Sequence, residues 1–106
     1  VLSGYDCTDQ ASIEEVASKT LECLKKNVPL DVPGIAFLSG GQSNELAISH
    51  LNEMSKHNTN WNVTFSYGRA LQQDALKAWA GENTVPAQEA LLSRAKSNSL
   101  ATTASL

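Results

Sequence analysis

One pattern constrains the fold of this chain most: a short apolar run, then a glycine-containing loop, then an amphipathic helix, occurring twice. The first run, 34–38, is continuously apolar and ends at Ser39-Gly40-Gly41. The second run, 63–65, is followed by Ser66-Tyr67-Gly68-Arg69. A continuously apolar run of this length is typical of a strand buried on both faces. We therefore predict a buried strand over the first run and a second short strand over the next.

Four segments carry apolar residues at helical spacing. They cover about 12–26 and begin again near Ser43, after Arg69 and at Thr84. Ser12 and Glu15 form a capping box at the start of the first helix, and we expect Asn27 to end it in a left-handed conformation. Residues 1–97 are predicted to form the folded part, and 98–106 a polar, mobile tail.

The predicted order is helix, strand, helix, strand, helix, helix. A right-handed crossover through the second helix makes the two strands parallel neighbours, so both glycine loops emerge at the same edge of the sheet. A parallel sheet needs cover on both faces and rarely has only two strands. The fold class is therefore α/β, and the unit is expected to be incomplete as it stands.

The two loops have the chemistry of a phosphate site. Gly40 and Gly41 let backbone N–H groups approach an anion, Ser39 adds a hydroxyl, and the following helix adds its dipole. Gly68 offers another backbone N–H that an anion can approach closely. Arg69 offers a guanidinium that can bind a phosphate through two hydrogen bonds. The same spacing also allows a simpler interpretation, in which Ser-Gly-Gly only ends a strand and Arg69 only pairs with a carboxylate.

Composition excludes several other classes of function. The 106 residues carry a formal net charge of -3, and the eight basic residues are scattered, so no nucleic-acid surface is expected. No apolar run approaches the roughly 20 residues of a membrane span, and the first ten residues lack a signal-peptide pattern. Cys7 and Cys23 are expected to be reduced, partly buried thiols. The chain begins at Val1 without an initiator methionine, which suggests processing or a fragment.

A few other residues have more than one interpretation. His50, Glu53 and His57 could share a helix face and bind a divalent metal, but we expect solvated helix residues and no metal site. Trp61 and Trp79 are expected to pack in the core. Tyr67 lies within the second loop, where it could contact a ligand, a neighbouring subunit or the wall of the fold.

Three motifs and a shorter one together resemble one family. VPGIAFLSGGQS at 32–43 and TFSYGRALQQDALKAWAG at 64–81 resemble the carboxyl-terminal signature of class I fructose-1,6-bisphosphate aldolases. AQEALLSRAKSNSLAT at 87–102 and GYDCT at 4–8 are similar to the same family, in the same order. The resemblance implies a (β/α)8 barrel in which the two strands are the seventh and eighth.

The resemblance also implies an activity and a site. The family reversibly cleaves fructose 1,6-bisphosphate into dihydroxyacetone phosphate and glyceraldehyde 3-phosphate through a lysine Schiff base, with no cofactor. It implies a sugar-phosphate substrate, a homotetramer and a cytoplasmic location, without nucleic-acid or membrane partners. The residues that would bind the substrate phosphate are Ser39, Gly40, Gly41, Ser66, Gly68 and Arg69.

The Schiff-base lysine itself is expected upstream of Val1. All six lysines of this chain fall on predicted helices or their ends, where a side chain is normally solvated. Without that lysine the chain by itself is expected to be inactive. The resemblance also implies a carboxyl-terminal tail that ends in tyrosine, which Ala104-Ser105-Leu106 do not match. The alternative is a freestanding, non-catalytic module, derived from the barrel, that binds phosphate or a protein partner.

Overall fold

A computed structural model of the chain describes Gly4, residues 6–57 and residues 59–106. Its elements follow the predicted order. They are α1 (Ile13–Asn27), β1 (Gly34–Phe37), α2 (Asn44–Ser55), β2 (Asn62–Phe65), α3 (Arg69–Trp79) and α4 (Thr84–Ala101). No helix among the described residues is long and apolar enough to cross a membrane.

The two strands pair in parallel, as predicted. Gly34 lies opposite Asn62 and Phe37 opposite Phe65. Hydrogen bonds extend the pairing at both ends, from the Asn62 amide to the Pro33 carbonyl and from the Ser66 amide to the Phe37 carbonyl. The carboxyl ends of β1 and β2 therefore lie side by side, and the loops that follow them begin at one edge of the sheet.

Helix starts are set by the capping residues that the sequence indicates. The Ser12 hydroxyl accepts a hydrogen bond from the Glu15 amide at 3.1 Å, and the Ser43 hydroxyl accepts one from the Leu46 amide at 3.1 Å. Each hydroxyl satisfies a backbone N–H that has no partner inside its helix. The start of α2 matters most for function, because it follows the first glycine loop directly.

The core lies between α2 and the sheet. Buried residues of α2 pack with Tyr67, with Ala70 of α3 and with Ala101 of α4, and Phe37, Val63 and Phe65 lie against them. A second cluster, formed by Ala17 and Leu21 of α1 with Met54 of α2, holds α1 in place. Trp61 is buried as predicted and donates through Nε1 to the Pro29 carbonyl at 3.1 Å.

The sheet is covered on one face only, which corrects the prediction of a strand buried on both faces. Along β1 the residues alternate, with Gly34 and Ala36 exposed and Ile35 and Phe37 half-buried. The next residue, Leu38, is 71% exposed. The apolar sequence of the strand is suited to cover on both sides, but the described part of the chain supplies helices for one side only.

Three further predictions about local structure were wrong. Asn27 is the last residue of α1 and donates its side-chain amide to the Cys23 carbonyl at 2.8 Å; it does not adopt the left-handed conformation. Both Cys7 and Cys23 are exposed, not partly buried. Trp79 is 45% exposed, because no element of the described chain packs over the outer face of α3 at that point.

Helix α4 is longer than the sequence indicates. The tail was predicted to begin at residue 98, but the helix continues to Ala101, and both Asn98 and Ala101 are buried. Asn98 donates to the Arg94 carbonyl at 2.9 Å, so its polar side chain is bonded within the helix instead of ending it. The folded part therefore extends past residue 97. The mobility of the residues after the helix stays a prediction.

Candidate functional site

The first loop of the site is a tight turn over residues 39–42. The Gln42 amide donates to the Ser39 carbonyl at 3.0 Å and closes the turn. Gly40 and Gly41 have φ values of 55° and 82°, in the left-handed region that side chains other than glycine rarely adopt. A Cβ on either glycine would meet nothing within 4 Å, so the space beside the turn is open. Glycine is needed here for the backbone conformation, and the open space leaves room for a ligand.

Helix α2 begins at the end of this turn. The Ser43 hydroxyl accepts a hydrogen bond from the Leu46 amide, and the Ser43 carbonyl accepts one from the Ala47 amide. This is the usual pattern for the N-cap residue of a helix. The backbone amides of Asn44 and Glu45 have no acceptor within the helix, because the N–H groups in the first turn of any helix have no preceding helical carbonyl to bond. The positive end of the helix dipole therefore lies beside the turn.

The second loop brings a further helix start to the same edge. Gly68 precedes α3 without a side-chain cap, and Arg69 is the first residue of that helix. The first turn of α3 contains no acidic residue, so nothing within it neutralises the dipole or the Arg69 guanidinium. Ser66 and Gly68 are both exposed. This end of α3 is consequently positive and accessible.

Tyr67 anchors the second loop to the core of the described chain. Its hydroxyl donates to the Ala47 carbonyl at 3.0 Å, and its ring lies 5.4 Å from the ring of Phe65. Burial raises the pKa of Tyr67 to about 12, so the phenol keeps its proton and its hydrogen bond across the physiological range. Its role within this structure is to fix the position of Ser66 and Gly68.

The two loops border one groove with a volume of about 430 Å³. It is lined by Ser39, Gly41, Gln42, Ser43, Arg69 and Gln73. Three of the six predicted site residues thus share it. Gly40 lines a neighbouring, more apolar groove of about 450 Å³ with Cys7 and Leu46, while Ser66 and Gly68 lie outside both grooves.

Sequence reasoning missed the amides that line the groove. Gln42 follows the glycine pair directly, and Gln73 lies one helical turn after Arg69, so that both reach the same space. The only sequence signal was this i, i+4 spacing from Arg69, which places Gln73 on the same side of α3. Both amides can donate hydrogen bonds to an anion.

His50 differs from the solvated helix residue that we predicted. It is 6% exposed, and its Nδ1 lies 2.6 Å from Oε1 of Gln42. Burial lowers the pKa of His50 below its ordinary value, and within the described ranges its buried Nε2 has no hydrogen-bond partner. Within the described part of the chain, no three His, Cys, Asp or Glu side chains come close enough to hold a metal ion.

The lysines lie where the sequence predicts them. All six are on helices or helix ends and are exposed: Lys19, Lys25, Lys26, Lys56, Lys77 and Lys96. None of them lines the groove. The arrangement at this edge can therefore bind an anion through backbone amides, neutral side chains and one guanidinium, and it brings no lysine amine to the bound ligand.

Comparison with known proteins places the whole chain in one family. The sequence model of the family described as fructose-bisphosphate aldolase class-I matches residues 1–106. The chain is 54% identical over 105 residues to a probable fructose-bisphosphate aldolase class 1 from Xanthomonas axonopodis pv. citri, covering 95% of this chain and 31% of the relative. It is 55% identical over 103 residues to the chloroplastic fructose-bisphosphate aldolase 2 of Pisum sativum, covering 95% of this chain and 30% of that protein.

A solved structure agrees in shape as well. The fructose-bisphosphate aldolase from Plasmodium falciparum, crystallised with TRAP and a small-molecule inhibitor, matches 97% of this chain with a TM-score of 0.91 and 45% identity. The match covers 30% of that aldolase. The chain thus spans about a third of the length of the relatives that it matches, in agreement with the expectation that it corresponds to one part of the family's sequence.

Proposed function

The chain belongs to the class-I fructose-bisphosphate aldolase family, and from that premise we propose that it is the carboxyl-terminal part of a glycolytic aldolase. The complete protein would reversibly cleave fructose 1,6-bisphosphate into dihydroxyacetone phosphate and glyceraldehyde 3-phosphate. Strands β1 and β2 would be the seventh and eighth of a (β/α)8 barrel. The role of this segment would be to bind a phosphate group of the substrate.

One observation carries the phosphate role: two helix starts and one guanidinium border the same groove. The starts of α2 and α3 direct unpaired backbone amides and positive dipole ends to one edge of the sheet. Arg69 lines the groove between them together with Ser39 and Gly41. A phosphate monoester, with its negative charge and several acceptor oxygens, suits these donors. Gly40, Ser66 and Gly68 would complete the site from the two adjoining loops.

The chemical step would fall to residues outside this chain. A Schiff base needs an uncharged lysine amine directed at the substrate carbonyl, and such lysines are desolvated in their pockets. The lysines here are exposed, and none of them lines the groove. We therefore assign the Schiff-base lysine to the strand before this segment, and expect the 106-residue chain alone to be inactive.

Assembly and location belong to the same proposal. The aldolase resemblance supports a homotetramer in the cytoplasm, with a sugar phosphate as its small-molecule partner. The Pisum sativum relative is a chloroplastic protein, so fractionation of the source cells distinguishes the two locations. Gel filtration with light scattering of the complete protein gives the subunit count.

The test of the phosphate role is the substitution Arg69→Ala in the complete protein. Loss of the bidentate, charge-assisted hydrogen bonds between the Arg69 guanidinium and the substrate phosphate is expected to raise KM for fructose 1,6-bisphosphate by about 10- to 100-fold. KM for a non-phosphorylated analogue should change little, because the guanidinium would contact only the phosphate. Steady-state kinetics with both substrates measure the difference.

Lys77→Ala is the matched control. Lys77 is also a cation of α3, but it lies in the last turn, is exposed and does not line the groove. Removing it changes net charge equally and should leave both KM values within about twofold, as for other exposed surface charges. Equal effects of Arg69→Ala on the two substrates would refute the phosphate role of Arg69.

A further inference from the structure

His50 is connected to the glycine turn through a single side chain. Its Nδ1 lies 2.6 Å from Oε1 of Gln42, and Nε2 of Gln42 lies 2.6 Å from the carbonyl oxygen of Ser39. The Gln42 backbone amide bonds to the same carbonyl at 3.0 Å. Gln42 thus ends the turn that contains Gly40 and Gly41 and is bonded twice to Ser39, which begins it, while His50 contacts the side chain of Gln42.

The direction of these hydrogen bonds determines the tautomer of the His50 imidazole. Gln42 donates to Ser39 through its amide nitrogen, so its Oε1 faces His50, and an amide oxygen can only accept. The proton in that hydrogen bond therefore belongs to Nδ1 of His50. The remaining nitrogen, Nε2, is buried without a partner among the residues that the structure describes, which suits an unprotonated ring nitrogen better than a charged N–H donor.

We propose that His50 is a positioning residue for the phosphate site, acting through Gln42 to hold the Ser39–Gly41 turn in its ligand-binding shape. The inference rests on the proposed function, because the His50–Gln42 contact would orient the backbone amides that bind the phosphate. We assign His50 no direct contact with the phosphate, because it lies outside the groove that contains Arg69 and lines the neighbouring groove with Gly40 and Gly41. Both glycines of the turn can adopt many conformations, and the two hydrogen bonds from Gln42 to Ser39 restrict that freedom.

The test compares His50→Leu with His50→Asn in the complete protein. Leucine removes the donor and leaves Oε1 of Gln42 unpaired, and we expect KM for fructose 1,6-bisphosphate to rise about tenfold. Turnover should stay within about twofold, because binding is lost equally in the ground and transition states. Asparagine carries an N–H donor near the position of Nδ1, so it should restore most of the lost affinity.

A double-mutant cycle separates positioning from a merely structural effect. Gln42→Leu breaks the same connection from its other end, so we expect a similar rise in KM. The double variant Gln42→Leu/His50→Leu should show no further rise, since coupled residues do not have additive effects. Additive effects, or a failure of His50→Asn to recover affinity, would overturn the proposal. If His50→Leu does not fold, Gln42→Leu and His50→Asn still give opposite expected results.

Two further variants complete the design. His57→Leu is the matched control, because His57 is the exposed histidine just after α2 and its loss should not change KM. Arg69→Ala separates this inference from the function on which it rests. A raised KM for Arg69→Ala with an unchanged KM for His50→Leu would refute the positioning role alone, whereas no change for Arg69→Ala would refute the phosphate site itself.

Discussion

The residues that shape the proposed phosphate-binding turn are mostly neutral, and this has a physical reason. Ser39, Gln42 and His50 form one chain of hydrogen bonds in which each donor meets a single acceptor. A charged imidazole would add a second buried donor without an acceptor, which costs free energy in a site of low polarity. Positive charge is supplied by Arg69, which is exposed, and by the helix dipoles, which need no desolvated ion.

At the residue scale we predict that acidification below about pH 6.5 destabilises the protein through His50. Burial keeps the pKa of folded His50 below its ordinary value of 6.5, while the unfolded chain takes up a proton near that value. Between the two pKa values the unfolded state binds more protons, so the free energy of unfolding falls as the pH falls. Denaturant unfolding of the complete protein at about pH 7.5 and about pH 5.5 measures this loss.

His50→Asn removes the titrating group and should make the loss smaller, while His57→Asn, at an exposed position, should leave it unchanged. An identical pH dependence for the parent protein and His50→Asn would contradict the assignment of this effect to His50.

At the scale of elements, Asp74 of α3 connects three helices. It accepts from Asn44 of α2 at 2.9 Å, and from Nε and Nη2 of Arg94 of α4 at 3.0 and 2.6 Å. Helical spacing along α3 shows the face on which Asp74 lies but not its neighbours on other helices. The Asn44–Asp74 hydrogen bond joins α3 to the start of α2. It therefore helps to hold the two helix starts that border the groove in their relative positions.

Asp74→Ala is expected to reduce the free energy of unfolding by about 1–3 kcal/mol. The Arg94 side chain, only 17% exposed, would then retain Glu45 at 3.7 Å as its nearest carboxylate, and the Asn44 amide would lose its acceptor. Denaturant unfolding of the complete protein measures the change. Glu22→Ala breaks the exposed Lys26–Glu22 pair on α1 and should cost no more than about 0.5 kcal/mol. Equal losses for the two substitutions would contradict a structural role of Asp74.

At the scale of the whole molecule, the described chain is elongated and leaves apolar surface uncovered. Its radius of gyration is 14.9 Å, against about 13 Å for a compact domain of this length. Leu38 beside the open sheet face and Leu92 on α4 are 71% and 72% exposed. Both edges of a two-stranded sheet are also unpaired within the described residues. These surfaces fit the proposal that further barrel strands and helices cover them in the complete protein.

We therefore predict that the 106-residue chain expressed alone aggregates or stays partly molten. Its near-ultraviolet dichroism should be weak and its binding of a hydrophobic dye strong, because the sheet face and edges have no cover. Analytical ultracentrifugation with both spectroscopic measurements checks this. A clean monomer with one cooperative unfolding transition would contradict the prediction and favour the freestanding module.

From the sequence alone we could predict the order of elements, the parallel pairing, the glycine turn and three of the residues that share the groove. Those features depend on spacing and turn chemistry within a few residues, which can be read along the chain. Three further features became visible only in the folded chain: His50 is buried against Gln42, Asp74 joins three helices, and one face of the sheet is open. Burial and hydrogen-bond partners depend on which distant segments pack together, as between Asn44 and Asp74, and no local pattern encodes that.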